Sequence, residues 1–336
     1  MALVSCKETG NDSNIETQQQ EPAKNVFSQP KTALDSINEL LSNDAHNVHL
    51  LAIRAKMHLA NDNVSAARND INLALSIDSG VATIREAKGE MAFMLNKSRR
   101  AKKEWEACIK IDPKNTGCLL SLTELYIAVQ NYDRALKMVN QLLDASKDNA
   151  EAYFAKGIII RDKFQDTTLA IQYFQNAIDL KKNYWDAIDM MAVTLANRQD
   201  TLAKFYYQQI LEAQPTNYHV WYKLGVFYMR QNEFNRAMEA YSKVIEFNPS
   251  HADAYYNMGF MHIDIKQWQV ASGYFTKSIQ SIDRNYKAHY GRGYCFEMVG
   301  DVINARKDYY EAVKILNVYT PAKEALQRLD RLDAQQ

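Results

Sequence analysis

The chain has 336 residues, of which 47% are hydrophobic and 24% are charged. Its 40 basic and 40 acidic side chains give a formal net charge of zero. A neutral chain lacks the basic excess that favours nucleic acid or an acidic membrane surface, so the composition indicates neither kind of partner.

The first six residues resemble the lipobox of bacterial lipoproteins. Leu3, Val4 and Ser5 precede Cys6, and in that family a small residue precedes the cysteine that becomes the lipidated amino terminus. The resemblance implies that residues 1–6 are the remnant of a signal peptide whose basic and apolar part would lie upstream. Acyl chains on Cys6 would then hold the protein on a membrane. The alternative is that Cys6 is a free thiol in an unfolded tail.

Two segments precede the regular part of the chain. Residues 7–29 contain few large apolar side chains and no periodicity, which predicts a disordered tether. Residues 30–47 predict an N-terminal capping helix, because apolar residues from Leu34 to Leu41 follow Pro30 at helical spacing.

Small residues then recur along the chain at a fixed period of 34 residues. Alanine occupies seven of the eight positions on this period between residues 67 and 305. These are Ala67, Ala101, Ala135, Ala203, Ala237, Ala271 and Ala305. Gly89, Gly157, Gly225, Gly259 and Gly293 are separated by 68, 68, 34 and 34 residues. A period of this length is typical of stacked structural repeats, none of which can bury its apolar face alone.

The segment 218–251 illustrates one such repeat. Its apolar residues from Trp221 to Tyr228 follow one another in steps of three and four residues, which predicts a helix. A second run with the same spacing extends from Phe234 to Val244, and Pro249 ends it. Both helices are short, and each has an apolar stripe that a neighbour must cover.

This pattern resembles the tetratricopeptide repeat family, which has an aromatic residue at position 4, leucine at 7, glycine or alanine at 8, tyrosine at 11, alanine at 20 and proline at 32. The resemblance covers residues 48–319 and implies an all-α fold, a right-handed α-α superhelix. The eight predicted units are 48–81, 82–115, 116–149, 150–184, 185–217, 218–251, 252–285 and 286–319. Residues 320–336 predict a C-terminal capping helix and tail.

The small residues at positions 8 and 20 are expected to lie where the two helices of a unit meet, because a larger side chain would hold the backbones apart. Glycine inside a helix costs about 1 kcal/mol relative to alanine, so close packing has to compensate for it. Among the cysteines, Cys108 falls at position 27 of its repeat, where the family has alanine, while Cys118 and Cys295 lie in other repeats. No disulfide framework is therefore predicted.

The sequence contains no pattern typical of a catalytic or cofactor site. Phosphate-binding glycine loops, the zinc-protease helix motif and paired-cysteine motifs are all missing. His46 and His49 lack a third ligand at metal spacing and are interpreted as a solvated pair. The basic run from Lys97 to Lys103 is interpreted as a solvated helix face, with a phosphate or partner patch as the alternative. We therefore predict a chain that is not an enzyme and holds no cofactor or metal.

In this family the first helices line a concave face, with positions 2, 5, 6, 9, 12 and 13 directed into it. Transferred onto the last three units, this pattern predicts a groove for a peptide or helix of a protein partner. The predicted groove residues are Tyr222, Lys223, Val226, Met229, Arg230, Tyr256, Asn257, Phe260, Ile263, Asp264, Tyr290 and Tyr294. Aromatic rings would act as rigid anchors, and the polar groups would fix the register. Tyrosine at position 5 is common in the family whatever its members bind, so a framework role is the alternative.

The sequence thus predicts a non-catalytic scaffold for protein–protein interaction, tethered to a bacterial cell envelope through Cys6. A soluble cytoplasmic adaptor or cochaperone is the alternative. It is less favoured because no unit has the lysine at position 5 or the asparagine at position 9 that clamp a terminal carboxylate in chaperone-tail binders of the family. An RNA-binding helical array such as the pentatricopeptide family is less favoured still, because its units are one residue longer and it is expected to be basic.

Overall fold

The computed structural model describes residues 32–333, which contain eighteen α-helices and no β-strand. The expectation of an all-α fold is confirmed. The predicted lipidation site at Cys6, the segment 1–6 and the tether 7–29 lie outside the described residues.

The helices fall into two compact units, one that ends at Lys97 and one that begins at Ser98. The first contains α1 (Ala33–Asn43), α2 (Val48–Ala60), α3 (Val64–Ile77) and α4 (Ala82–Met94). The second contains α5 (Ser98–Ile111), α6 (Thr116–Ala128), α7 (Tyr132–Ala145), α8 (Ala150–Phe164), α9 (Thr167–Leu180), α10 (Trp185–Asn197), α11 (Ala203–Ala213), α12 (Tyr218–Arg230), α13 (Phe234–Phe247), α14 (Ala252–Asp264), α15 (Trp268–Ser281), α16 (Tyr286–Met298), α17 (Val302–Ile315) and α18 (Thr320–Asp333). The boundary lies inside the predicted repeat 82–115, whose two helices belong to different units.

Asparagine side chains fix where most first helices begin. The N-cap residues Asn47, Asn115, Asn149, Asn217 and Asn285 each accept a hydrogen bond from the backbone N–H three residues later. Such a bond satisfies one of the backbone donors that a helix start leaves without a partner, and is worth about 1 kcal/mol.

The turn from the first to the second helix of a repeat contains a residue in the left-handed conformation. These residues are Asp62, Asn96, Gln130, Gln165, Gln199, Asn232, Lys266 and Gly300. Gly300 has a φ of 82°, and the other seven adopt φ values of 55–60° despite their side chains. A positive φ reverses the chain within a few residues, so in the repeats that lie within one compact unit the two helices can pack side by side.

Within a repeat, an aromatic ring of the second helix covers the glycine of the first. Gly157, Gly225, Gly259 and Gly293 face Phe174, Tyr241, Phe275 and Tyr309, respectively. A Cβ atom added to Gly225 would lie 2.7 Å from Cε1 of Tyr241, closer than real Cβ contacts. The expected reason for the small residues therefore needs correction, because a ring rather than bare backbone fills the space. Backbone also comes close at Gly293, where the added atom would lie 3.2 Å from the Ala305 carbonyl oxygen.

A disulfide joins Cys108 on α5 to Cys118 on α6, with their Cα atoms 6.4 Å apart. The prediction of no disulfide was wrong. The two cysteines belong to different predicted repeats, but the turn after α5 brings the end of that helix beside the start of α6. Both cysteines are fully buried. Cys295 is a buried free thiol.

Two repeats have arginine where the pattern has leucine at position 7. Arg54 donates hydrogen bonds of 2.8 and 2.7 Å to the two carboxylate oxygens of Asp70. Arg292 makes the same pair of bonds, 2.7 and 2.8 Å long, to Asp308. Both aspartates are buried. In each case a bidentate ion pair connects the two helices of one repeat.

The last helix, α18, covers the apolar face that α17 leaves. Ala322, Ala325 and Leu329 are buried in one cluster with Tyr309 and Ala312. This contact closes the second unit at its carboxy-terminal end, as repeat arrays require.

Candidate partner-binding groove

The twelve predicted groove residues lie on α12, α14 and α16, the first helices of three successive repeats. Arg230, Phe260 and Asp264 are exposed, and the other nine are half-buried. Phe260 exposes 44% of its surface, which is high for a phenylalanine ring. We call the surface formed by these residues, together with their counterparts on α6, α8 and α10, the groove face.

Contacts across repeats make the groove face continuous. Lys223 on α12 donates to both carboxylate oxygens of Asp189 on α10, at 2.7 and 2.6 Å. The Asn257 side chain on α14 hydrogen-bonds the hydroxyl groups of Tyr222 and Tyr241. Predicted groove residues of neighbouring repeats therefore touch one another or share partners.

Four tyrosines form a cluster at the carboxy-terminal end of the groove face. Tyr319 lies with its ring centre 4.9 Å from that of Tyr286 and 5.5 Å from that of Tyr290. Tyr256 interacts electrostatically with the same three rings. Burial, followed by the neighbouring phenols, raises the pKa of Tyr319 to about 12. We call Tyr256, Tyr286, Tyr290 and Tyr319 the tyrosine cluster.

The tyrosine cluster also touches the core. The ring of Tyr256 lies 5.7 Å from that of Phe275, and the ring of Tyr290 lies 5.5 Å from that of Tyr309. Phe275 and Tyr309 are the rings that cover glycine in their repeats. Two of the predicted anchors are therefore part of the repeat framework as well as of the surface.

An ion pair attaches α18 beside the tyrosine cluster. Arg328 donates two hydrogen bonds, of 2.8 and 2.7 Å, to Glu297 on α16. The Tyr309 hydroxyl donates to the same carboxylate at 2.6 Å. Burial opposes ionisation of Glu297, but these hydrogen bonds outweigh it and lower the pKa of the carboxyl group.

The groove face is acidic at α6, α8 and α10. Glu124, Glu151 and Asp186 lie close enough to Tyr184 to raise the pKa of its hydroxyl, in addition to the larger effect of burial. The pKa of Glu124 is raised too, by burial and then by Glu151. With Asp189, these carboxylates form what we call the acidic section.

A cavity of about 690 Å³ adjoins the acidic section. It is lined by Lys181, Asn183, Tyr184, Trp185, Asp186, Asp189, Ile210, Gln214, Asn217, His219, Val220 and Lys223. The two lysines are already paired within the chain, Lys181 with Glu151 at 2.6 Å and Lys223 with Asp189.

Tyr184 and Tyr319 were not among the predicted groove residues. Both are the last residue of a predicted repeat, just before the next first helix, whereas the family pattern directs attention to positions within first helices. An aromatic residue directly before a repeat start is the signal that could have identified them. Asp189 lies on α10, outside the three repeats of the predicted groove. Tyr286 lies within those repeats, at position 1, which is not one of the six groove positions of the family.

The other predicted features are not among the residues of this face. Arg99 and Lys103, at the start of α5, are exposed. In the described part of the chain, no group of three or more histidine, cysteine or acidic side chains is placed to hold a metal ion. Between residues 32 and 333, every helix is too short or too polar to cross a lipid bilayer.

Comparisons with known proteins agree on one family. A family model described as tetratricopeptide repeat matches residues 93–156. A second model, the middle tetratricopeptide-like domain of cilia and flagella-associated protein 70, matches residues 194–293. A search of curated proteins finds no significant match.

One of the similar solved structures shows the same fold. The C-terminal part of a tetratricopeptide repeat-containing protein from Cytophaga hutchinsonii aligns with 72% of this chain and 99% of its own, at 21% identity and a TM-score of 0.61. MamA from Desulfovibrio magneticus covers 51% of this chain and 96% of its own, at 19% identity and a TM-score of 0.46. The Cut9–Hcn1 structure covers 88% of this chain and 52% of its own, at 13% identity and a TM-score of 0.45.

Stacked helical repeats of this kind build extended binding surfaces, so the broad function is that of a protein-interaction scaffold. The family models, the helix pairs and the 34-residue period lead to one conclusion. Over residues 93–156 and 194–293 the chain is similar to tetratricopeptide repeat proteins, and these matches support that family.

Proposed function

We propose that this protein is a non-catalytic scaffold that binds an extended peptide or a helix of a protein partner on its groove face. The observation that carries the proposal is the continuity of the face across α12, α14 and α16, where the exposed ring of Phe260 lies one helical turn after the half-buried Tyr256. Rings held in place by the core lose little freedom on binding, which makes them efficient anchors.

We further propose that the protein acts in a bacterial cell envelope, attached through acyl chains on Cys6. The disulfide between Cys108 and Cys118 supports this location, because disulfides form and persist in oxidising compartments such as the periplasm. The rival location is the cytoplasm, where thiols are kept reduced.

The location can be tested in bacterial cells that express the gene with its natural upstream sequence. Trapping free thiols in intact cells, followed by peptide mass spectrometry, reports whether Cys108 and Cys118 are paired. We expect a pair, together with palmitate labelling that Cys6→Ser abolishes. Reduced Cys108 and Cys118 in cells would favour the cytoplasmic adaptor, and labelling that survives Cys6→Ser would exclude that residue as the anchor.

The groove is best tested at Phe260 rather than at the tyrosines. Replacing Tyr256 and Tyr290 by alanine would remove packing against Phe275 and Tyr309, so lost binding could result from lost structure. Phe260→Glu places a charge on the groove face at a side chain that is already exposed.

Phe205→Glu is a matched control, since Phe205 is 58% exposed on the second helix α11. Both variants should keep the helical circular dichroism and thermal midpoint of the wild type. We expect Phe260→Glu to lose the proteins that the immobilised wild type captures from a membrane extract, while Phe205→Glu retains them. Equal capture by both variants would reject the groove as the binding surface.

A further inference from the structure

The groove face does not have one chemistry along its length. At α14, α16 and α18 it presents the tyrosine cluster, whereas at α6, α8 and α10 it presents the acidic section. The whole chain is neutral, with 40 basic and 40 acidic side chains. The charge of the acidic section is therefore a local property of this surface and does not reflect the overall composition.

Charge within the acidic section is incompletely compensated. Four carboxylates, those of Glu124, Glu151, Asp186 and Asp189, face two lysines. Lys181 is committed to Glu151 and Lys223 to Asp189. Within residues 32–333, no basic side chain forms an ion pair with Glu124 or Asp186, which leaves two negative charges for a ligand to neutralise.

The side chains around the acidic section favour arginine over lysine as the partner's basic residue. The cavity beside the acidic section is lined by the rings of Tyr184 and Trp185 as well as by Asp186. A guanidinium group can donate two parallel hydrogen bonds to a carboxylate and stack on an aromatic face at the same time. Lys181 lies over the Tyr184 ring, 4.6 Å from its centre, so this ring already contacts a cation of the chain itself.

On the basis of the groove proposed above, we infer that the acidic section binds an arginine-containing stretch of the partner, with Glu124 and Asp186 as its counter-charges. The apolar residues of the same segment lie on the tyrosine cluster. The partner is therefore a protein segment with a basic part and an apolar part, rather than an acidic or uniformly apolar one.

Fluorescence anisotropy tests this inference with a labelled peptide that has an arginine-rich half and a leucine- and proline-rich half. A second probe replaces each arginine by citrulline, which keeps the shape of the side chain and removes its charge. We expect the citrulline probe to bind wild type at least about tenfold more weakly, since two exposed ion pairs of roughly 0.7 kcal/mol each give that factor. The difference between the probes should shrink as salt is added.

The decisive variant is Glu124→Gln with Asp186→Asn, which removes both counter-charges. Its control is Asp144→Asn with Glu212→Gln, which changes the net charge equally at exposed positions on the second helices α7 and α11. The groove variant should bind the arginine probe about tenfold more weakly than the control variant does. Equal affinities of the two variants, or no binding of the arginine probe to wild type, would overturn the inference.

Phe260→Glu separates this inference from the groove itself. If Phe260→Glu loses the natural partner and the Glu124 and Asp186 variant retains it, the groove function stands and the arginine site is wrong. If both variants retain the partner, both proposals are wrong. Thermal unfolding of every variant, measured by circular dichroism, shows that a loss of binding is not a loss of fold.

Discussion

Gly291 offers the sharpest test of how successive repeats pack. It lies on α16, outside the 34-residue glycine period, yet it touches the core ring of the preceding repeat. A Cβ atom on Gly291 would lie 2.6, 2.7 and 2.9 Å from three atoms of the Phe275 ring, where ordinary contacts are 3.4–4 Å. We predict that Gly291→Ala destabilises the second unit.

The magnitude follows from two opposing effects. Alanine gains about 1 kcal/mol over glycine in a helix interior. Overpacking of a core typically costs about 1–3 kcal/mol. Phe275 cannot move away easily, because only 1% of its surface is exposed. Gly259 also packs closely against the same ring, since a Cβ atom added to Gly259 would lie 2.9–3.0 Å from the ring atoms. The net change for Gly291→Ala is therefore a loss of roughly 0–2 kcal/mol.

Gly273→Ala on α15 is the matched control, because no atom lies within 4 Å of the added Cβ. That variant should gain about 1 kcal/mol from helix propensity alone. Urea midpoints measured by circular dichroism compare the two variants. In a Phe275→Leu background, Gly291→Ala should be less harmful, which a double-mutant cycle measures. The packing argument is refuted if Gly291→Ala and Gly273→Ala stabilise equally.

Three further predictions concern the cysteines and the buried ion pair. Reducing the Cys108–Cys118 disulfide should lower the free energy of unfolding by about 2–3 kcal/mol, which is the loop-entropy value for a separation of 10 residues. As a control, the urea midpoint of a variant with serine at both positions should not respond to reductant. Cys295 should resist iodoacetamide in the native protein, because burial raises its pKa to about 12, and should react once urea unfolds the chain; labelling of the native thiol would contradict this. Burial opposes ionisation of Asp308, but hydrogen bonds from Arg292 and His289 lower its pKa, so the stability it contributes is complete above about pH 4 and lost as the pH falls further. Asp308→Asn should therefore cost about 3–5 kcal/mol at neutral pH and progressively less in acid. A cost independent of pH would show that the charge of Asp308 does not contribute.

Sequence periodicity predicted the fold class because helix pairs of fixed length leave a direct record in the spacing of small and apolar residues. It could not predict which atoms fill the space beside each glycine. The tight fit at Gly225 comes from the ring of Tyr241, sixteen residues later, and its geometry depends on how the two helices cross. The disulfide was missed for a related reason, since counting along the chain does not reveal that a short turn places Cys108 beside Cys118.

The candidate site was less predictable than the fold. Positions within first helices could be transferred from the family pattern, but Tyr184 and Tyr319 precede those helices and depend on the path of the inter-repeat turn. The uncompensated charge of the acidic section was also hidden, because four carboxylates from three repeats converge only after folding. A local count of charged residues does not reveal that Lys181 and Lys223 already form ion pairs with Glu151 and Asp189.

The two interpretations of tyrosine at position 5, as framework or as binding residue, are compatible in this protein. Tyr256 and Tyr290 pack one side of each ring against Phe275 and Tyr309, and their remaining surface belongs to the groove face. A ring that packs against the core on one side keeps one orientation. Binding of a partner to its other side therefore costs little conformational entropy. The same contact means that a bound partner stabilises the repeats that hold these rings, by an amount that grows with the logarithm of its concentration over its dissociation constant. The proposed binding on the groove face and the stability of the array therefore depend on the same side chains, which is why exposed Phe260 and the two unpaired carboxylates separate them more cleanly than the tyrosines do.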